Sequence, residues 1–544
     1  MVTLEGIASS KGIGMGCVFI KEETSPVIEK KKVQSVDAEI QRLENAKLEA
    51  VGQLVALQRQ ARENIGESEA AIFEAHQMML QDESFMSRIA AIISDEGINA
   101  EYALKLTEQE FVSIFASMDD AYMQERAADI RDISKRLMDC ITGSIEQSLA
   151  DLPEPVIIVA KDLLPSDTVQ MDRKKVLGVV TEQGGAMSHL SILARTMQIP
   201  AVAGVGDILA TIEPGDFIIV HGDAGQVIVN PDETEKGLWQ ERQKEYGKRQ
   251  EALKALKGTK SQTKDGVEIR VAANIGTPGD VADVIDNDAE GIGLFRTEYL
   301  YMQSDTAPSE DTQFAAYKTV LEQMANKPVV IRTLDVGGDK EISYLQIPKE
   351  DNPFLGYRGI RVSLGQTDIF KTQLRALFRA SVYGKLGIMF PMISTLEELY
   401  EAKKLVEEVK AELTREGISF RQDVEIGMMI ETPAAALTTH LLAKEVDFFS
   451  VGTNDLTQYT IAVDRMNTKV ARLYNTHHPA VLHLVEMTIE NGHKEGIWVG
   501  ICGEAAADPS LVETFVNMGV DELSVRPRAV LEVRGQIQEI SLQR

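Results

Sequence analysis

A chain of 544 residues is too long for one hydrophobic core and implies several domains. With 44% hydrophobic and 26% charged residues its composition is globular, and no stretch approaches the roughly 20 apolar residues of a membrane helix. A formal charge of -28 argues against general nucleic-acid binding, which needs a basic face to release counterions, and suits a neutral or basic protein partner.

Residues 1–16 hold no basic stretch leading into a long apolar run, so no secretory signal is expected. Cys17, Cys140 and Cys502 are too few and too widely spaced for a disulfide framework or a zinc site, which fits a reducing, cytoplasmic setting. The first 20 residues read as short strands punctuated by glycine. From about Val33 to Gln147 the chain has no proline, and Ile40, Leu43, Ala46, Ala50, Leu54, Leu57 and Ala61 recur at steps of three and four. A helical bundle is predicted there. After Pro153 and Pro155, the β-branched runs 156–160, 176–181, 201–203 and 217–220 predict a compact α/β domain. Residues 232–258 are polar helix formers throughout and read as an exposed linking helix. Beyond Val267 come eight strand candidates, at 267–274, 290–296, 328–334, 386–392, 425–431, 447–453, 497–502 and 521–525, each followed by helix-length sequence. Over slightly more than the roughly 250 residues typical of the fold, this predicts a C-terminal (β/α)8 TIM barrel in a multidomain α/β protein. A doubly wound sheet is the alternative, because counting strands does not show closure.

Polar residues stand where these apolar runs end: Asn274, Arg296, Arg332, Glu431, Asn454 with Asp455, and Cys502. In a barrel they converge on the C-terminal mouth, where active sites sit. Arginine forks suit phosphate and carboxylate oxygens, and Glu431 with Asp455 offers two hard ligands of the kind Mg²⁺ takes beside substrate phosphate and water. The inferred ligand is a small, heavily anionic molecule. Cys502 in the same mouth reads as a proton donor, a nucleophile, or a buried apolar residue.

In the middle domain, Gly184-Gly185-Ala186-Met187-Ser188-His189 lies between an apolar strand and a helix-like run. Glycines before a helix start leave backbone N–H groups free to cradle an oxyanion, and a histidine there can accept a phosphoryl group on a ring nitrogen. There is no GxxxxGK[ST] loop. Gly12, Gly14 and Gly16 precede a strand, so a dinucleotide loop is discounted.

With these residues in view, the chain resembles the Enzyme I family of the bacterial phosphoenolpyruvate:sugar phosphotransferase system over essentially its whole length. The likeness is carried by Gly293-Leu294-Phe295-Arg296-Thr297-Glu298, by IRTLDVGGDK at 331–340, by NPFLGYRGIR at 352–361, by DFFSVGTNDLTQYTIAVDR at 447–465, and by Cys502-Gly503-Glu504. The resemblance implies that His189 is phosphorylated from phosphoenolpyruvate. Arg296, Arg332, Arg465, Asn454 and Asp455 would bind that substrate, Glu431 and Asp455 would hold Mg²⁺, and Cys502 would protonate the enolate to pyruvate. It implies a phosphohistidine domain at 1–20 plus 148–230, a helical domain at 33–145 that docks the carrier protein HPr, a linker at 231–259, and a barrel at 260–544 that also forms a homodimer. Glu67, Glu69, Glu74, Asp82 and Glu83 around His76, Met78 and Met79 read as an acidic rim on an apolar docking patch.

Departures cluster near the histidine, where Ala186, Met187 and Leu190 replace the family's usual Arg, Thr and small polar residue. Lys11 stands where Pro is common, the chain stops at Arg544, short of the usual end, and Ser524-Val525-Arg526 replaces a Ser-x-Ser pattern. A pyruvate phosphate or water dikinase would need an ATP-binding domain that the first 150 residues leave no room for. A regulatory paralog is disfavoured by the intact arginines and carboxylates. A pyruvate lyase would leave His189 without a role.

Overall fold

The structure, a computed structural model, describes residues 2–21, 28–64, 67–116, 121–144, 149–185, 188–302, 306–338, 340, 342–345, 347–467 and 469–542. Contacts divide the chain into two units, 1–249 and 250–544, the break falling inside the helix Glu233–Ala255.

In the first unit, the predicted periodicity becomes the helices Val36–Asn64, Glu67–Gln81, Glu83–Glu96, Ala100–Ala116 and Ala121–Thr142. Leu43, Ala46, Ala50, Leu54, Leu57 and Ala61 face one shared core with Phe73, Ile89 and Ile133. Asp82 caps the third helix by accepting from Ser84 N at 2.7 Å, and Gly97 ends it at φ 58°, a left-handed conformation that glycine adopts without strain. Eight strands form one sheet: β1 (Val2–Glu5), β2 (Ile7–Ser10), β3 (Ile13–Lys21), β4 (Val156–Ala160), β5 (Val176–Thr181), β6 (Ala201–Ala203), β7 (Phe217–His221) and β8 (Gln226–Val229), in the order β1-β8-β7-β3-β4-β5-β6-β2. The bundle is fastened to this sheet's turns by polar contacts. Buried Asp132 accepts from Ser166 N at 3.0 Å and from Ser166 Oγ at 2.5 Å, and the same turn is held to β3 by the Lys21–Asp167 pair.

His76 is a correction to the docking patch read from sequence. It is fully buried, with Nε2 3.1 Å from Asp129, while Met78 and Glu74 of the same helix are exposed. One helical face alternates with the other every few residues, so a polar residue amid acidic neighbours can still point inward. The side chains of Glu67, Glu69 and Glu83 lie outside the described residues.

In the second unit, all eight predicted strands form: β9 (Arg270–Ile275), β10 (Ile292–Arg296), β11 (Pro328–Arg332), β12 (Lys385–Phe390), β13 (Glu425–Ile430), β14 (Phe448–Val451), β15 (Trp498–Ile501) and β16 (Glu522–Val525). They pair in parallel and close, β16 returning to β9. Closure settles the choice between barrel and open sheet. Hydrophobic residues on both faces of the strands are buried, as a parallel sheet under helices requires. No described helix is long and apolar enough to cross a membrane.

The C-terminal helix Val530–Glu539 is clasped by Arg534, fully buried, which donates to Asp288 Oδ2 at 2.5 Å, Asp288 O at 2.6 Å, Ser261 Oγ at 3.0 Å and Leu256 O at 3.2 Å. Removing one partner of such a buried set strands the others. Arg534→Ala is expected to cost about 3–5 kcal/mol, read as a lowered urea midpoint of the barrel transition; an unchanged midpoint would show the clasp to be dispensable.

Candidate active site

The polar residues predicted at strand ends do meet. Arg296 and Arg332 end β10 and β11 and are register partners. Glu431 directly follows β13, Cys502 follows β15, and Asn454 with Asp455 lies in the first turn of the helix Thr453–Ile461 just past β14. Because β13 and β14 are neighbours, the Glu431 and Asp455 carboxyls share one sector of the mouth. Arg465 follows the same helix. Gly503 lets two strand ends meet: a Cβ there would lie 1.9 Å from Thr453 Oγ1 and 2.6 Å from its backbone nitrogen. Asn274 points inward instead, donating to the Cys502 and Ser524 carbonyls at 3.0 and 3.1 Å.

Charge is buried here, and it is buried in pairs. Arg332 donates to Glu298 Oε1 at 2.7 Å and pairs with Asp335 Oδ2 at 3.0 Å; Lys340 reaches Glu298 at 2.6 Å; Arg358 donates to Asp455 Oδ1 at 3.0 Å and lies 3.4 Å from Asp335. Glu298, Asp335 and Glu431 are each 1% exposed, so the desolvation cost of every charge must be met by a neighbour. Burial pushes against ionisation of Asp335, but Arg332, Lys340 and Arg358 outweigh it and hold its carboxyl well below the usual range. Glu431 is the opposite case. Burial, reinforced by Asp335 and Asp455, pushes it up to about 7, against the pull of Arg332 and Arg358. Burial likewise pushes the Cys502 thiol up to about 11, so at neutral pH it carries its proton.

Several donors are left over for a ligand. Arg332 Nε and Arg465 Nη1 are buried with no hydrogen-bond partner among the described residues, and Arg296 has no ion-pair partner among them. A small molecule bearing phosphate and carboxylate would satisfy this set. Two crowded carboxylates, one of them raised by burial and by its acidic neighbours, also fit Mg²⁺. No group of three or more His, Cys, Asp or Glu side chains that could hold a metal occurs among the described residues, so substrate oxygens and water would complete the shell.

In the first unit, Gly184 has φ 102° and Ser188 caps the helix His189–Met197, its Oγ accepting from Ser191 N at 3.4 Å while Ser191 Oγ donates to Gly185 O at 2.7 Å. His189 thus occupies the first helical position; its side chain lies outside the described residues, as do Ala186 and Met187. Leu190, 3% exposed, is part of the core beneath the helix, so that departure from the family pattern falls inside the fold.

The profile of the PEP-binding domain of PEP-utilising enzymes matches residues 250–542, their N-terminal domain residues 5–126, and their mobile domain residues 152–225. The phosphoenolpyruvate-protein phosphotransferase of Geobacillus stearothermophilus is 48% identical over 99% of this chain and 93% of its own length. That of Bacillus subtilis (strain 168) is 46% identical over 100% of this chain and 95% of its own. The chain belongs to the phosphoenolpyruvate-protein phosphotransferases. An Enzyme I solution structure also aligns, at 34% identity over 45% of this chain and 99% of its own, with a TM-score of 0.40.

Four residues of this phosphotransferase's mouth received no role from the sequence: Glu298, Asp335, Lys340 and Arg358. All lie within the diagnostic segments 293–298, 331–340 and 352–361. The signal was there, as charged residues inside apolar, glycine-rich motifs, but Lys340 and Arg358 stand in loops beyond the strand ends.

Proposed function

We propose that the chain transfers the phosphoryl group of phosphoenolpyruvate to a ring nitrogen of His189, releasing pyruvate, and then passes it to the carrier protein HPr in the cytoplasm as the first step of sugar uptake. The observation that carries this reading is the barrel mouth, where unpaired arginine nitrogens, two buried carboxylates on adjacent strands and a protonated thiol converge. Arg296, Arg332 and Arg465, with Asn454 and Asp455, bind the substrate's phosphate and carboxylate. The imidazole nitrogen attacks phosphorus, the P–O bond to the enol carbon's oxygen breaks, and the electron pair leaves with the enolate. Cys502 gives its proton to the methylene carbon, forming pyruvate, and the thiolate regains a proton from water. Glu431 and Asp455 would hold Mg²⁺, which when bound would supply charge neutralisation at the phosphate.

The division of labour follows the family: a phosphohistidine domain at 1–20 plus 148–230, HPr docking on 33–145, a linker at 231–259, and substrate binding with homodimer contacts on 260–544. Exposed Glu74 and Met78 support a docking face on the helix Glu67–Gln81, and exposed Tyr400, Leu437 and Leu441 supply apolar surface on the barrel helices. Incubation with labelled phosphoenolpyruvate and Mg²⁺ tests the reading: acid-labile, base-stable protein phosphate that chases onto HPr is expected, and absence of such label would overturn it.

The elevated Glu431 sets a pH dependence. A carboxyl titrating at about 7 must lose its proton to ligate, so Mg²⁺ affinity is expected to fall by about tenfold per pH unit below 7 and to level off above it. Calorimetric Mg²⁺ titrations at pH 6 and 8 check this, and equal affinity at both would contradict it.

A further inference from the structure

Arg465 has no side chain gripping its buried Nη1 among the described residues, so its direction is set by the main chain that carries it. That main chain, described over 462–467 and 469–474, is held at its two ends. The helix Thr453–Ile461 stops at Ala462, φ 53°, and Arg465 N donates to the buried Gln458 Oε1 at 3.1 Å. Beyond it, Val470 N and Ala471 N donate to Asn467 O at 3.0 and 2.8 Å, and the short 3-10 helix Ala471–Leu473 leads to Tyr474. The half-buried Tyr474 hydroxyl donates to the Asn454 carbonyl at 3.1 Å. Asn454 is gripped a second time, its Oδ1 accepting from Glu504 N at 3.0 Å, two residues past Cys502. One residue therefore joins the loop of Arg465, the start of the helix bearing Asp455, and the turn that follows Cys502.

We propose that Tyr474 is a positioning residue for the phosphotransfer reaction: its hydroxyl fastens the segment 469–474, itself hydrogen-bonded to Asn467, onto the Asn454 carbonyl and so aims the Arg465 guanidinium. This rests on the reading that Arg465 and the 454–455 segment bind phosphoenolpyruvate. A helix carbonyl has two lone pairs, so it accepts from the phenol without giving up its place in the helix. Burial pushes the Tyr474 phenol up, which keeps it a donor throughout the working range. Small errors of aim at a substrate clamp are amplified in binding.

The test is a double-mutant cycle in the full chain, reading KM for phosphoenolpyruvate, kcat and melting temperature for Tyr474→Phe, Arg465→Ala and the pair. Tyr474→Phe keeps the ring and removes only the hydroxyl. It is expected to raise KM about fivefold to tenfold, to change kcat less than about threefold, and to leave the melting temperature in place. In the Arg465→Ala background, whose KM is already raised, adding Tyr474→Phe is expected to change KM no further. A wild-type KM for Tyr474→Phe, or full additivity of the two changes, would overturn the proposal while leaving the substrate role of Arg465 standing. A wild-type KM for Arg465→Ala would instead overturn that role, and the proposal with it.

Discussion

His189→Ala is expected to lower self-phosphorylation from phosphoenolpyruvate by at least about 10⁴-fold while leaving the fold intact. The loss is large because no other histidine can take over. His76 is buried against Asp129, and His221 faces Trp239 with ring centroids 5.0 Å apart. His477, His483 and His493 face carboxylates, His478 caps the helix Pro479–Lys494, and exposed His440 stands inside the short helix Thr439–Leu442 with no glycine turn before it. The fold survives because the helix His189–Met197 is started by Ser188 and anchored by buried Leu190, Leu193 and Ala194. Labelled phosphoenolpyruvate with Mg²⁺ measures the first claim and thermal unfolding the second. Undiminished label on the alanine variant would refute the assignment of His189.

Asp335→Ala is expected to destabilise the barrel by about 3–5 kcal/mol and to abolish turnover. Asp335 is 1% exposed and is the common partner of Arg332, Arg358 and Lys340, so its removal leaves three cations short of charge in a dry site. It also frees Arg332 from one of the two carboxylates that orient it. The pH dependence has a definite sign. A carboxyl held below its ordinary value contributes its full stability above the unfolded pKa and loses it only as pH falls toward the depressed one. The deficit of the variant is therefore expected to stay constant from pH 6 to 9 and to shrink only in acid. Urea unfolding followed by Trp498 fluorescence in a Trp239→Phe background checks both statements; a deficit that grew toward acid would contradict this account.

Much of the barrel was legible locally. Each strand is a run of apolar residues ended by a polar one, and a polar residue at the C-terminal end of a barrel strand has only the mouth to face. Arg296, Arg332, Glu431 and Cys502 could thus be named from the sequence and are brought together in the structure. Lys340 and Arg358 could not be placed in that way, because loop residues carry no periodicity. Their partners, Glu298 and Asp455, stand 42 and 97 positions away.

The sequence by itself determined the element types and their order, since helical steps of three and four and strand-length apolar runs are set by backbone geometry within a few residues. It also determined which chemistry-bearing residues end the strands. Only the tertiary structure decided that the eight strands close, that His76 and Leu190 turn into cores, which carboxylate each cation answers, and that the Tyr474 hydroxyl donates to the Asn454 carbonyl. Those outcomes depend on burial and on distances between residues far apart in the chain. A buried charge selects whichever partner the fold delivers, and no local pattern records that choice.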